Sequence, residues 1–149
     1  MMALLPESTN DQYRGARISA WFLILTAILN IIPGCIHYFL PDGGAGVIAH
    51  LDLSTRASTI IAVFAWYGAM QIPLGAIQLL IGLRYRALVP MFLLMMIVQQ
   101  GLSAFAAWLW KGGGHHPPEH YASVISVVLG LFFLLLSLRD TPQRKVSRQ

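Results

Sequence analysis

A chain of 149 residues that is 56% hydrophobic and only 11% charged has too few charges to clothe a soluble domain, whose surface ordinarily draws on about a quarter charged residues. With a mean hydropathy of +0.64, the composition specifies a membrane protein. The net charge of +4 does not indicate nucleic-acid binding, because the basic residues sit just beyond the apolar stretches, where they snorkel towards lipid headgroups.

Four stretches are long enough to cross a bilayer, about 20 apolar residues each at about 1.5 Å of rise. They are predicted over residues 18–39, 59–83, 87–110 and 121–138. Without water to satisfy backbone groups, each must be helical. The predicted fold is therefore all-α, a bundle of four transmembrane helices forming one domain over residues 1–149. Residues 1–13 are mostly polar and the first apolar stretch is too long for a typical signal core, so the first span is expected to remain as an anchor.

In the first span, Asn30, Pro33 and His37 follow i, i+3, i+7 spacing, a polar stripe from mid-membrane towards one edge. It reads as a wet crevice or as a buried hydrogen-bond ladder. Cys35 is the only cysteine, which excludes an internal disulfide. Pro33, like Pro73 in the second span, removes an N–H and frees a carbonyl one turn earlier.

The first connection, residues 40–58, opens with the turn signal Pro41-Asp42-Gly43-Gly44. The VIAHLDL run after it is expected to form a short interfacial helix or a re-entrant segment. Asp52, Ser54 or Thr55 can cap the second span.

Along the second span Gly68, Gly75 and Gly82 recur every seven residues on one face. Such a stripe admits a neighbouring backbone closely, within the bundle or in a homo-oligomer. Gln71 and Gln78 share a face, with Tyr67 one turn away. They bond to other helices or line a polar cavity, as do Gln99, Gln100 and Ser103 in the third span. The connection Arg84-Tyr85-Arg86 is so short that the second and third spans are expected to be adjacent and antiparallel. Trp108 and Trp110 close the third span as interface anchors.

The second long connection, KGGGHHPPEHY, ends one helix with glycines and starts the next with Pro117 and Pro118. His116 is expected at the N-cap, with Glu119 near the positive end of the helix dipole.

Of the ten Lys and Arg, Arg14, Arg17, Arg84, Arg86, Arg139, Arg144, Lys145 and Arg148 fall on one side, against Arg56 and Lys111 on the other. The positive-inside rule then places both termini in the cytoplasm. All five histidines fall towards the outer, periplasmic or extracellular, side. Ionisable groups are expensive in lipid, so this is the candidate site. Three chemistries fit. His37, His50, His116 and His120 supply ligands for zinc or copper, the last two as an H-x-x-x-H pair. His37 and His120, on different helices, can hold a non-covalent haem b between them. Metal-free acid–base catalysis is the third, with His37, Asp42, Asp52 and Glu119 as proton carriers and Asn30, Tyr67 and Gln71 lining a crevice for an apolar molecule. Against all three stands an accessory bundle that assembles through Gly68, Gly75 and Gly82.

The segment YGAMQIPLGAIQLLIGLRYRALVPMFLL, Tyr67 to Leu94, resembles the middle of small bacterial four-helix membrane proteins of the DoxX-like type. The likeness lies in a glycine-spaced second helix, a short basic turn and an immediate third helix. It implies a four-span protein of the bacterial inner membrane. The long first loop and the His-rich second loop depart from that pattern, and no functional residue follows from it.

Overall fold

The computed structural model describes residues 4–112 and 114–140. Among them are four long helices and no strand: α1 (Arg17–Phe39), α2 (Ala57–Arg84), α3 (Val89–Phe105) and α4 (Pro118–Leu138). A 3-10 turn precedes α3, and the wider π-turn Ala106–Trp110 continues it, giving an uninterrupted apolar segment Arg86–Trp110. Each of the four is long and apolar enough to span a membrane. Their outward faces carry large apolar side chains such as Trp21, Leu25, Trp66, Met70, Leu102 and Phe132, which suits a lipid solvent.

The helices associate as two tight pairs, α1 with α2 and α3 with α4. In lipid no hydrophobic force gathers helices, so close van der Waals approach decides who pairs with whom. The glycine stripe of α2 makes that approach possible. A Cβ on Gly68 would lie 2.6 Å from the Gly34 carbonyl oxygen, and one on Gly75 2.9 Å from that of Ala27. At Gly82 it would lie 2.5 Å from Ile24 Cγ1. The stripe offered to a second copy is therefore filled by α1 of the same chain.

That packing corrects the expected neighbour relation of the second and third spans. Although only Tyr85 separates α2 from the turn leading into α3, the two helices make few direct contacts. A groove of about 470 Å³ runs between them, lined by Leu74, Phe92, Met95 and Leu102 among others. A short connection fixes where two helix ends meet; the glycine face, already on α1, decides which flanks touch.

The two pairs join where α1 meets α4. Phe22 stacks on Phe133 with centroids 4.1 Å apart, and Ser19 Oγ donates to the Phe133 carbonyl at 2.8 Å. The buried core, including Leu23, Ile81, Val89, Leu93 and Met96, lies towards this end of the bundle.

The polar N-terminal segment seals the same end, a role the sequence reading did not assign to it. Ser8 Oγ and the Thr9 N–H donate to the Arg84 carbonyl at 2.9 and 3.1 Å, and Asn10 Nδ2 donates to that of Leu83 at 2.7 Å. Tyr85 Oη donates to the Pro6 carbonyl at 2.8 Å. The last carbonyls of any helix lack intrahelical partners, and here residues 6–10 satisfy two of them.

At the opposite end, residues 41–49 form a run of turns rather than an interfacial helix. Asp42 organises them: its carboxylate accepts the N–H groups of Gly44, Gly46 and Val47 at 2.9, 3.1 and 3.0 Å. Gly43 and Gly44 take the positive φ values, 61° and 77°, that this winding needs. Asp52 does not cap α2. Its carboxylate accepts the Ser54 N–H at 2.8 Å in a local turn, and α2 begins after Arg56 without a side-chain cap. Similarly, the residue preceding α4 is Pro117 rather than His116. Gly113 and the basic residues Arg144, Lys145 and Arg148 lie outside the described residues.

Candidate functional site

A cleft of about 450 Å³ opens among the four helices towards the turn-rich end. Helix α1 contributes Asn30 and Pro33, α2 contributes Tyr67 and Gln71, and α3 contributes Gln100 and Ser103. The first turn of α4 adds Glu119 and His120, and Lys111 lies at the same end. Ligand sites commonly occupy about 300–1,000 Å³ with an apolar lining and a few convergent polar groups. This cleft has that character. The α2–α3 groove is mostly apolar, with Gln78 and Gln99 the polar residues in its lining.

The polar groups inside the cleft are unequally satisfied. Asn30 Nδ2 donates to Gln78 Oε1 at 2.9 Å, and Gln78 is almost fully buried. Gln71, also buried, has no hydrogen-bond partner for its Oε1 among the described residues.

The mouth is built around His120. Its Nδ1 lies 3.1 Å from Nδ1 of His116, so one ring donates and the other accepts. The pair therefore shares a proton between two bases. Trp108 holds both partners: its ring stacks on His116 with centroids 4.0 Å apart, and its Nε1–H donates to the His120 carbonyl at 3.1 Å. The π-turn, closed by the Lys111 N–H on the Ala106 carbonyl at 2.7 Å, carries Trp108 to this position. Such turns recur at functional sites because they redirect side chains without ending the helix. Ser123 Oγ adds a second bond to the His120 carbonyl at 2.7 Å.

The other candidates lie apart from the cleft. His37, only 4% exposed, donates from Nδ1 to the Gly43 carbonyl at 2.7 Å and meets Phe64 edge-on. It holds the first loop against α1 and is not part of the cleft lining. The structure thus places His37 in the packing of the first loop and His120 at the cleft mouth. His115 donates from Nε2 to the Ala49 carbonyl at 2.9 Å and fastens the second loop to the first. His50 is exposed, with a left-handed φ of 54°. Asp42 and Asp52 are engaged in their own turns, and those backbone bonds hold both carboxyls below the usual aspartate range. Among the described residues, no three or more His, Cys, Asp or Glu side chains stand close enough to hold a metal ion.

Trp108, expected as an interface anchor, has a second role in holding the histidine pair. Its bond to His120 spans a glycine loop, and no local spacing reports such a contact.

Four apolar helices of spanning length around a cleft with a few convergent polar groups define the class, a multi-pass helical membrane protein. Comparison with protein-family models, curated proteins and solved structures found no match to the chain.

Proposed function

We propose that the protein binds a small lipid-soluble molecule in the four-helix cleft and moves a proton on it with the His116–His120 pair. The observation that carries this reading is the cleft itself. It gathers Asn30, Tyr67, Gln71, Glu119 and His120 from three different helices, with an imidazole pair at its mouth. An imidazole can both donate and accept a proton, so the hydrogen-bonded pair can relay one to or from a bound molecule. Glu119, in the first turn of α4, is the carboxylate on hand at the mouth. In this reading the protein lies in a bacterial inner membrane with both termini in the cytoplasm. The support is Arg14, Arg17, Arg84, Arg86 and Arg139, which flank the helix ends away from the cleft mouth.

Mass spectrometry of gently purified protein and its co-purifying small molecules tests the reading. The expected result is a bound apolar compound in near-stoichiometric amount, lost when Ala122→Phe fills the cleft. Equal content in the wild type and this variant would contradict it.

A further inference from the structure

Gln71 sits near the midpoint of α2, lines the cleft and is 8% exposed, yet its Oε1 lacks a hydrogen-bond partner among the described residues. Gln78, one heptad along the same helix, is satisfied by Asn30. Helix-to-helix bonding therefore serves one glutamine and leaves the other. A buried amide without a partner is costly, and native proteins keep few of them. Gln71 lines the cleft while its Oε1 is turned away from the open space, and the soft terminal torsion of the side chain lets the amide swing to a partner there.

We infer that the cleft takes a neutral lipid-soluble alcohol, whose hydroxyl group bonds to the Gln71 amide. This rests on the ligand-binding reading above and adds the chemical class of the ligand. Charge argues for neutrality. Glu119 and Lys111, of opposite sign, both line the cleft, so it carries no net counter-charge for an ionised ligand. An uncompensated charge at mid-span is far costlier than a hydroxyl. The amide itself argues for a hydroxyl, which donates to Oε1 and accepts from Nε2 equally well. An ether or ketone oxygen only accepts. Leu29, Pro33, Ala106 and Ala122 supply apolar walls, and the two alanines leave room for a hydrocarbon body.

The test uses the full-length protein in phosphatidylcholine vesicles with two photoreactive probes, a diazirine-bearing hexadecanol and its O-methyl ether. Labelled peptides are mapped by mass spectrometry. The alcohol is expected to label residues 100–107 and 118–123 about fivefold more than the ether, and Gln71→Leu is expected to equalise the two while the cleft stays labelled. Equal labelling in the wild type, or a preference that survives Gln71→Leu, would overturn the hydroxyl assignment and leave ligand binding standing. Absence of cleft labelling by either probe would overturn the binding reading and this inference together. The unfolding temperature of Gln71→Leu is expected to equal or exceed that of the wild type. A clear fall would mean that Gln71 has a protein partner, which also overturns the assignment.

Discussion

Asn30 on α1 bonds to Gln78 on α2 at 2.9 Å and so ties the two glycine-packed helices at a second kind of contact. Gln78 is 2% exposed, so without Asn30 its carboxamide would be stranded. The contrast with Gln71, whose oxygen has no such tie, divides two chemically identical side chains into a structural one and an available one.

Asn30→Leu is therefore expected to destabilise the fold by about 0.6–1.7 kcal/mol, the span measured for hydrogen bonds between membrane helices. Gln71→Leu is expected to be neutral or stabilising. Reversible unfolding in mixed micelles, compared across the two variants, checks the asymmetry; equal losses would contradict it.

The glycine stripe makes a sharper prediction. Gly75→Ile forces a branched side chain into the space held by Ile31 and the Ala27 carbonyl, where even a Cβ would be too close. Overpacking costs about 1–3 kcal/mol or more, and here the helices must separate. Gly101→Ala meets no atom within 4 Å and is expected to leave stability unchanged or slightly raised. Thermal unfolding of both variants reads the difference.

The four spans were legible from hydropathy because the bilayer demands one element type and one minimum length. Asn30, Tyr67 and Gln71 stood out for a related reason, since a polar side chain in an apolar run needs a partner, and Glu119 and His120 stood out as ionisable groups where a span begins. Pairing was not legible. The Arg84–Arg86 connection brought α2 and α3 together at their ends, but the geometry of Gly68, Gly75 and Gly82 committed α2 to α1. The role of His37 was hidden because its partner, the Gly43 carbonyl, belongs to a turn whose winding depends on Asp42. The grip of Trp108 on His116 and His120 depends on a π-turn that has no signature in composition.

Asp42 gives the first loop a pH dependence with a definite sign. Backbone N–H bonds from Val47, Gly44 and Gly46 hold its carboxyl below the usual aspartate range. A depressed carboxyl stabilises the folded loop above the unfolded value and loses that contribution as pH falls through the folded one. The amide signals of Gly44, Gly46 and Val47 are expected to stay constant at neutral pH and to shift together only below the ordinary aspartate range. Asp42→Ala should abolish the ordered positions at every pH, and unchanged amide signals in that variant would refute the role.

The N-terminal cap on α2 is testable by deletion of one side chain. Asn10→Ala removes the bond to the Leu83 carbonyl and the one from the Arg86 N–H to Asn10 Oδ1. A loss of about 1–2 kcal/mol is expected from two bonds of ordinary net strength. Calorimetry on the purified protein measures it, and an unchanged transition would remove the cap from the description.

Orientation is read by thiol labelling in a Cys35→Ala background. Glu7→Cys and Ser54→Cys place single thiols on exposed residues at opposite ends of the bundle. A membrane-impermeant maleimide added to intact cells is expected to modify the thiol at position 54 and spare that at position 7. The reverse pattern would invert the topology and turn the cleft mouth towards the cytoplasm.

The most direct measurement for the whole proposal is an experimental structure of the protein in lipid nanodiscs, without added ligand. The expected result is elongated non-protein density in the cleft, touching Gln71 at its inner end and His120 at its mouth. A cleft closed by inward movement of α3, with Gln71 bonded to a neighbouring helix, would contradict it.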